Sequence, residues 1–69
     1  SNMREQVDPA LSRAIREDLA VAAAHARVEY LLPLVGQRQR GSKGQKAAII
    51  ALQVAVQRRR DAYNAWAAR

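Results

Sequence analysis

Between Ala47 and Val56 the chain reads AAIIALQVAV, with one polar residue in ten. On a helix, at about 100° per residue, these side chains point in every direction, and a helix that is apolar all round has to be surrounded. Only 69 residues are available to surround it. Domains this small seldom hold together by burial alone and depend on disulfides, a metal or association. The chain has no Cys and a single His, His25. Disulfides, thiolate metal sites and a His-based zinc site are therefore excluded, and no cofactor or metal is expected. Association is left: a homo-oligomer, with a dimer favoured, or docking on an unlike protein.

Local signals divide the chain into two helices. Ser1 and Asn2 precede Met3 and read as a tag remnant, and residues 1–8 as a flexible N-terminus ahead of one domain over 9–69. Asp8-Pro9 is a helix start, with Asp as N-cap and Pro at the first helical position. Strong helix formers continue to about Leu32, and Pro33 predicts a stop or kink there. All three glycines fall within 36–44, giving a basic loop over about 36–42. Ser42-Lys43-Gly44-Gln45 has capping-box spacing and opens a second helix over about 43–67. The Ile and Val of 47–56 would also suit a strand, but the length of the segment and its alanines favour helix. The expected fold is all-α: an antiparallel two-helix hairpin, pairing into a four-helix bundle by dimerisation.

Each helix carries two apolar stripes. Leu11, Ile15, Leu19, Ala22, Ala26 and Tyr30 share one face of the first helix. On the second helix, Ile49, Val56 and Tyr63 repeat every seven residues, as do Leu52, Arg59 and Trp66. These predict the hairpin's own seam, in a register that places Val56 near Leu19 and Arg59 opposite Glu17 and Asp18. Arg59 is accordingly expected to form a salt bridge with one of those carboxylates. The leftover apolar residues then form a partner interface: Val21, Val28, Leu32 and Val35 on one helix, and Ala47, Ile50, Ala51 and Val54 on the other.

Charge suggests a second kind of partner. The net charge is +6, but residues 1–35 carry −1 and residues 36–69 carry +7. Such asymmetry fits a nucleic acid, an anionic membrane or an acidic protein as partner, or simply solvated helix faces written with Arg. The candidate anion or nucleic-acid contacts are Arg38, Arg40, Lys43 and Lys46 around the loop, with Arg58 and Arg60 further along. Gly41-Ser42-Lys43-Gly44 lacks the spacing of a nucleotide-binding phosphate loop.

Catalysis has no visible apparatus. Glu17 and Asp18 are adjacent and diverge by about 100° on a helix, and His25 stands alone. No nucleophile–base set appears, so an enzyme is not expected and no catalytic residue is assigned. No apolar run suggests a transmembrane span, and no signal-peptide pattern follows Met3, so a cytoplasmic location is the default. The leading expectation is a non-enzymatic interaction module acting as adaptor, chaperone or assembly subunit. The alternative is a small basic regulator that binds nucleic acid.

Overall fold

A computed structural model describes residues 7–69. The described residues are all-helical, with three helices and no strand: α1 (Pro9–Glu17), α2 (Leu19–Gln37) and α3 (Lys43–Ala67). The residues expected to be a tag remnant and most of the expected flexible N-terminus, 1–6, lie outside the described residues. The first expected helix is thus two. Its start is as the sequence indicates: Asp8 caps α1, its Oδ1 accepting from the Leu11 amide at 2.8 Å, with Pro9 in the first turn.

The break falls at Asp18, whose backbone is extended (φ −129°, ψ 119°). One residue serves both helices. The Asp18 amide donates to Ala14 O at 2.8 Å and ends α1. Its carbonyl accepts from Ala22 at 3.0 Å, and its Oδ1 accepts from the Ala20 amide at 3.4 Å, opening α2. Asp is among the best N-caps because its short side chain satisfies amides that a helix start leaves unbonded. The break frees α1 to turn across its neighbours and bury Ala14 completely, with Leu11 and Ile15 partly buried.

Pro33 does not stop α2, which continues to Gln37. A proline inside a helix orphans the carbonyl four residues earlier. Here that residue is Glu29, and both Glu29 and Pro33 are exposed. Water can bond the orphaned carbonyl on the outer face, so the cost is borne without breaking the helix.

The connection to α3 is short. Gly41, at φ +78°, occupies the left-handed region that glycine enters without a Cβ clash. Ser42 Oγ accepts from the Gln45 amide at 3.1 Å, the N-terminal half of the expected capping box. The Gln45 side chain reaches back to two places: its Oε1 accepts from the Gly41 amide at 2.7 Å, and its Nε2 donates to Val35 O at 3.3 Å. One side chain thereby ties the first turn of α3 to the last turn of α2.

α2 and α3 run antiparallel, and the side of α2 that faces α3 corrects the expected seam. Val21 and Val28 are fully buried and Leu31 is nearly so; opposite them are Ala48 and Ala55. Leu32, Leu34, Ala51, Leu52 and Val56 pack around the Val28–Leu31–Ala55 centre. Leu19, by contrast, is 85% exposed and Tyr30 59%. The two faces of the first expected helix are therefore exchanged. The reason lies at Asp18. Leu11 and Ile15 favour the Leu19–Ala22–Ala26–Tyr30 stripe only if the helix is continuous through residue 18. Once it breaks, α2 chooses alone, and Val21, Val28, Leu31, Leu32 and Val35 offer more apolar surface than Leu19, Tyr30 and two alanines. Of the buried core residues, α2 supplies Val21, Val28 and Leu31 and α3 supplies Ala48 and Ala55.

Candidate docking face and basic end

The exchange of faces removes half of the expected partner interface. Val21 and Val28 belong to the buried core, and Leu32 and Val35 are partly buried. A buried valine is not available to a partner, so these four residues do not form an open stripe. The α3 half stays outward. Ile50 is 61% exposed, Val54 46%, and Ala47 is exposed, while Ala51 is partly buried against the core.

Beside Ile50 lies an open groove of about 550 Å³ between α2 and α3. Ala20, Ala23 and Ala24 line it from α2, and Ala51, Val54, Ala55 and Ala62 from α3. Arg27 and Arg58 complete the lining, and both are exposed. Arg27 is held by the ring of Tyr30, with its guanidinium carbon 5.4 Å from the ring centre. Alanines leave a shallow floor that another backbone can approach closely.

α1 covers the other side of the helix pair. Leu11 shares a smaller cleft with Val56, Arg59, Arg60 and Tyr63. Val54 and Val56 are two residues apart, hence about 200° apart around α3, so the alanine groove and the α1 cleft lie on opposite sides. At the far end, Arg13 stacks over Trp66 at 5.9 Å, and Tyr63 and Trp66 pack with ring centres 5.8 Å apart. Both rings are partly buried and belong to the packing of α1 on α3.

Arg59 stays on the seam, as expected, but with other company. Its Nη1 lies 3.1 Å from His25 Nδ1. Arginine only donates, so in this contact the imidazole Nδ1 is the acceptor. The expected carboxylates are paired elsewhere: Glu17 with Arg13 at 2.9 Å, and Asp18 with Arg69 at 3.8 Å. The cause is register. With α2 extended to Gln37, residue 59 meets α2 at His25, several residues beyond the expected alignment.

The six candidate anion contacts do not share a surface. Arg38, Arg40, Lys43 and Lys46 are all exposed at the connection between α2 and α3. Arg38 lies along the first turn of α3, its Cδ 3.6 Å from where a β-carbon at Gly44 would stand. Arg60 instead lines the cleft beside α1, and Arg58 lines the alanine groove. At the start of α3 the Gln45 amide donates to Ser42 Oγ and the Lys46 amide to Ser42 O, while the Gly41 amide just before the cap donates to Gln45 Oε1.

Among the described residues, no three His, Asp or Glu side chains gather into a metal-binding group. α2 is long and apolar enough, by length and composition alone, to cross a membrane, although no such segment was expected. Its Val21, Val28 and Leu31 are packed inside the protein.

Sequence reasoning missed Ala20, Ala23, Arg27, Ala55 and Ala62 as groove residues. Alanine has too little apolar contrast to mark a face by periodicity. The signal available was the spacing Ala20, Ala23, Ala24, Arg27, one side of a helix at intervals of three and four. Comparison of the chain with protein-family models, with curated proteins and with solved structures found no match.

Proposed function

We propose that this chain is a non-enzymatic helical interaction module, an adaptor, chaperone or assembly subunit, that docks a second helical surface on the face of α2 and α3 opposite α1. The observation that supports this reading is the open groove floored by Ala20, Ala23, Ala24, Ala51, Ala55 and Ala62, with Ile50 exposed beside it. Small proteins seldom leave contiguous apolar surface uncovered unless something binds there. A helical pair laid on this face would complete a four-helix arrangement in which α1 is the outer brace.

The test is sedimentation velocity on the wild-type chain and on Val54→Asp, each alone over a concentration series and with an amphipathic helical peptide. Val54 is exposed, so the far-UV spectrum of the variant should be unchanged. The expected result is a larger species for the wild type, with itself or with the peptide, and none for the variant. A wild-type chain that stays monomeric and binds no peptide would refute the reading.

A second reading rests on the basic end, where Arg38, Arg40, Lys43 and Lys46 are exposed within nine residues of sequence. Such a cluster suits nucleic-acid phosphates, and the affinity would fall steeply with salt as counterions are released. A mobility-shift titration at two salt concentrations checks it, and no shift at the lower one removes it.

A further inference from the structure

The two arginines in the groove go beyond the need for a docking face, and from them we infer the chemistry of what docks: an acidic amphipathic α-helix of an unlike protein, its small apolar stripe on the alanine floor and its flanking carboxylates on Arg27 and Arg58. This rests on the reading of the groove as a docking surface. The lining residues contain two cations and no carboxylate. Arg58 lies between Ala55 and Ala62 in the α3 side of the lining, and Arg27 is the last residue that α2 contributes to it. Arg27 stacks on Tyr30, and among the described residues neither arginine has a carboxylate within ion-pair distance. The acidic residues nearby in sequence, Glu29 and Asp61, are not part of the lining, and Asp61 accepts from Gln57 Nε2 at 2.9 Å.

Covering the groove strips water from both guanidinium groups. A desolvated cation without a partner is costly, so a stable occupant has to bring acceptors to both places. A second copy of this chain is a poor occupant. A two-fold axis through the groove would gather Arg27 and Arg58 of both copies around it, on chains that each carry +6. A nucleic acid would satisfy the arginines but leave the alanine and valine floor against a charged backbone. An acidic helix satisfies both. On α3 the lining runs from Ala51 to Ala62, about 17 Å at 1.5 Å per residue, which is roughly three turns of partner helix. Arginine also suits carboxylates geometrically, because its planar fork pairs with them in bidentate fashion.

The test uses two fluorescein-labelled, hydrocarbon-stapled peptides of about four turns. Both carry the same alanine and leucine stripe, flanked in one by glutamates and in the other by lysines. Anisotropy titrations are run on the full chain, on Val54→Asp and on the double variant Arg27→Glu/Arg58→Glu, with far-UV spectra confirming that each is folded. The expected result is that the wild type prefers the glutamate peptide by about tenfold. The double variant should invert that order, and Val54→Asp should weaken both peptides. Equal affinities, or an order unchanged in the double variant, would overturn the acidic partner; if Val54→Asp still weakens binding, the docking face stands without it. Binding unaffected by Val54→Asp would overturn the face itself. A wild-type dimer dissociated by Val54→Asp would assign the groove to a second copy. A DNA duplex that displaces the glutamate peptide from the wild type but does not bind the double variant would assign the arginines to nucleic acid. Either of these last two results overturns the inference.

Discussion

Truncating one valine and one leucine separates the observed packing of α2 from the alternative that its sequence also permits. Val28 is fully buried at the centre of the core with Leu31 and Ala55, whereas Leu19 is 85% exposed. Val28→Ala removes two methyl groups, each worth about 0.8 kcal/mol when buried, and leaves a small cavity, for a total near 2 kcal/mol. Leu19→Ala removes more carbon but from water-exposed surface, so its effect should stay within about 0.5 kcal/mol. In a domain of this size 1 kcal/mol moves Tm by about 4–8 °C, so Val28→Ala should lower it by about 10 °C while Leu19→Ala barely shifts it. Thermal melts followed at the helical far-UV band give both values. If Leu19→Ala cost as much as Val28→Ala, α2 would face α3 with its other side, and the groove as described would not exist.

Other positions give sharper or smaller effects. Pro33→Ala should stabilise the chain by about 1–3 kcal/mol, since it restores the amide that the Glu29 carbonyl lacks within α2; a lower melting temperature would contradict the account of that outer face. Asp18→Ala should cost about 1 kcal/mol in a denaturant titration by removing the side-chain cap of α2, and a null effect would mean that the break is held elsewhere. Gly41→Ala meets no neighbour within 4 Å, yet it should destabilise by about 1 kcal/mol because of its positive φ. His25→Ala should cost on the order of 1 kcal/mol through its bond with Arg59, and a neutral result would show that the seam does not need that contact.

How much of this was legible in the sequence depended on whether a signal was local. Asp8-Pro9 and Ser42 with Gln45 act through amides within a few residues, and the structure uses them as caps. Pro33 was a local signal as well, but its effect was decided by where Glu29 faces, which depends on the tertiary packing of α2. Asp18 was harder to read. It lies among strong helix formers, and no Gly or Pro marks it as an end. That one residue then controlled the rest, because whether Leu11 and Ile15 belong to the same helix as Leu19 settles which side of α2 is the core. On α3, which is continuous, Ala47, Ile50 and Val54 were readable as an outward stripe. Their counterparts on α2 were not, since alanines 20 and 23 form a surface by shape rather than by hydrophobic contrast.

The absence of cysteine makes a direct comparison of the two candidate surfaces straightforward. An environment-sensitive fluorophore is attached either at Ile50→Cys, on the rim of the groove, or at Arg40→Cys, in the basic connection. Each labelled chain is titrated with the glutamate-flanked helical peptide and, separately, with a DNA duplex. If the face opposite α1 is the working surface, the label at position 50 shifts to the blue with the peptide while the label at position 40 does not respond to either ligand. A response confined to position 40 would contradict it and move the function to the basic end.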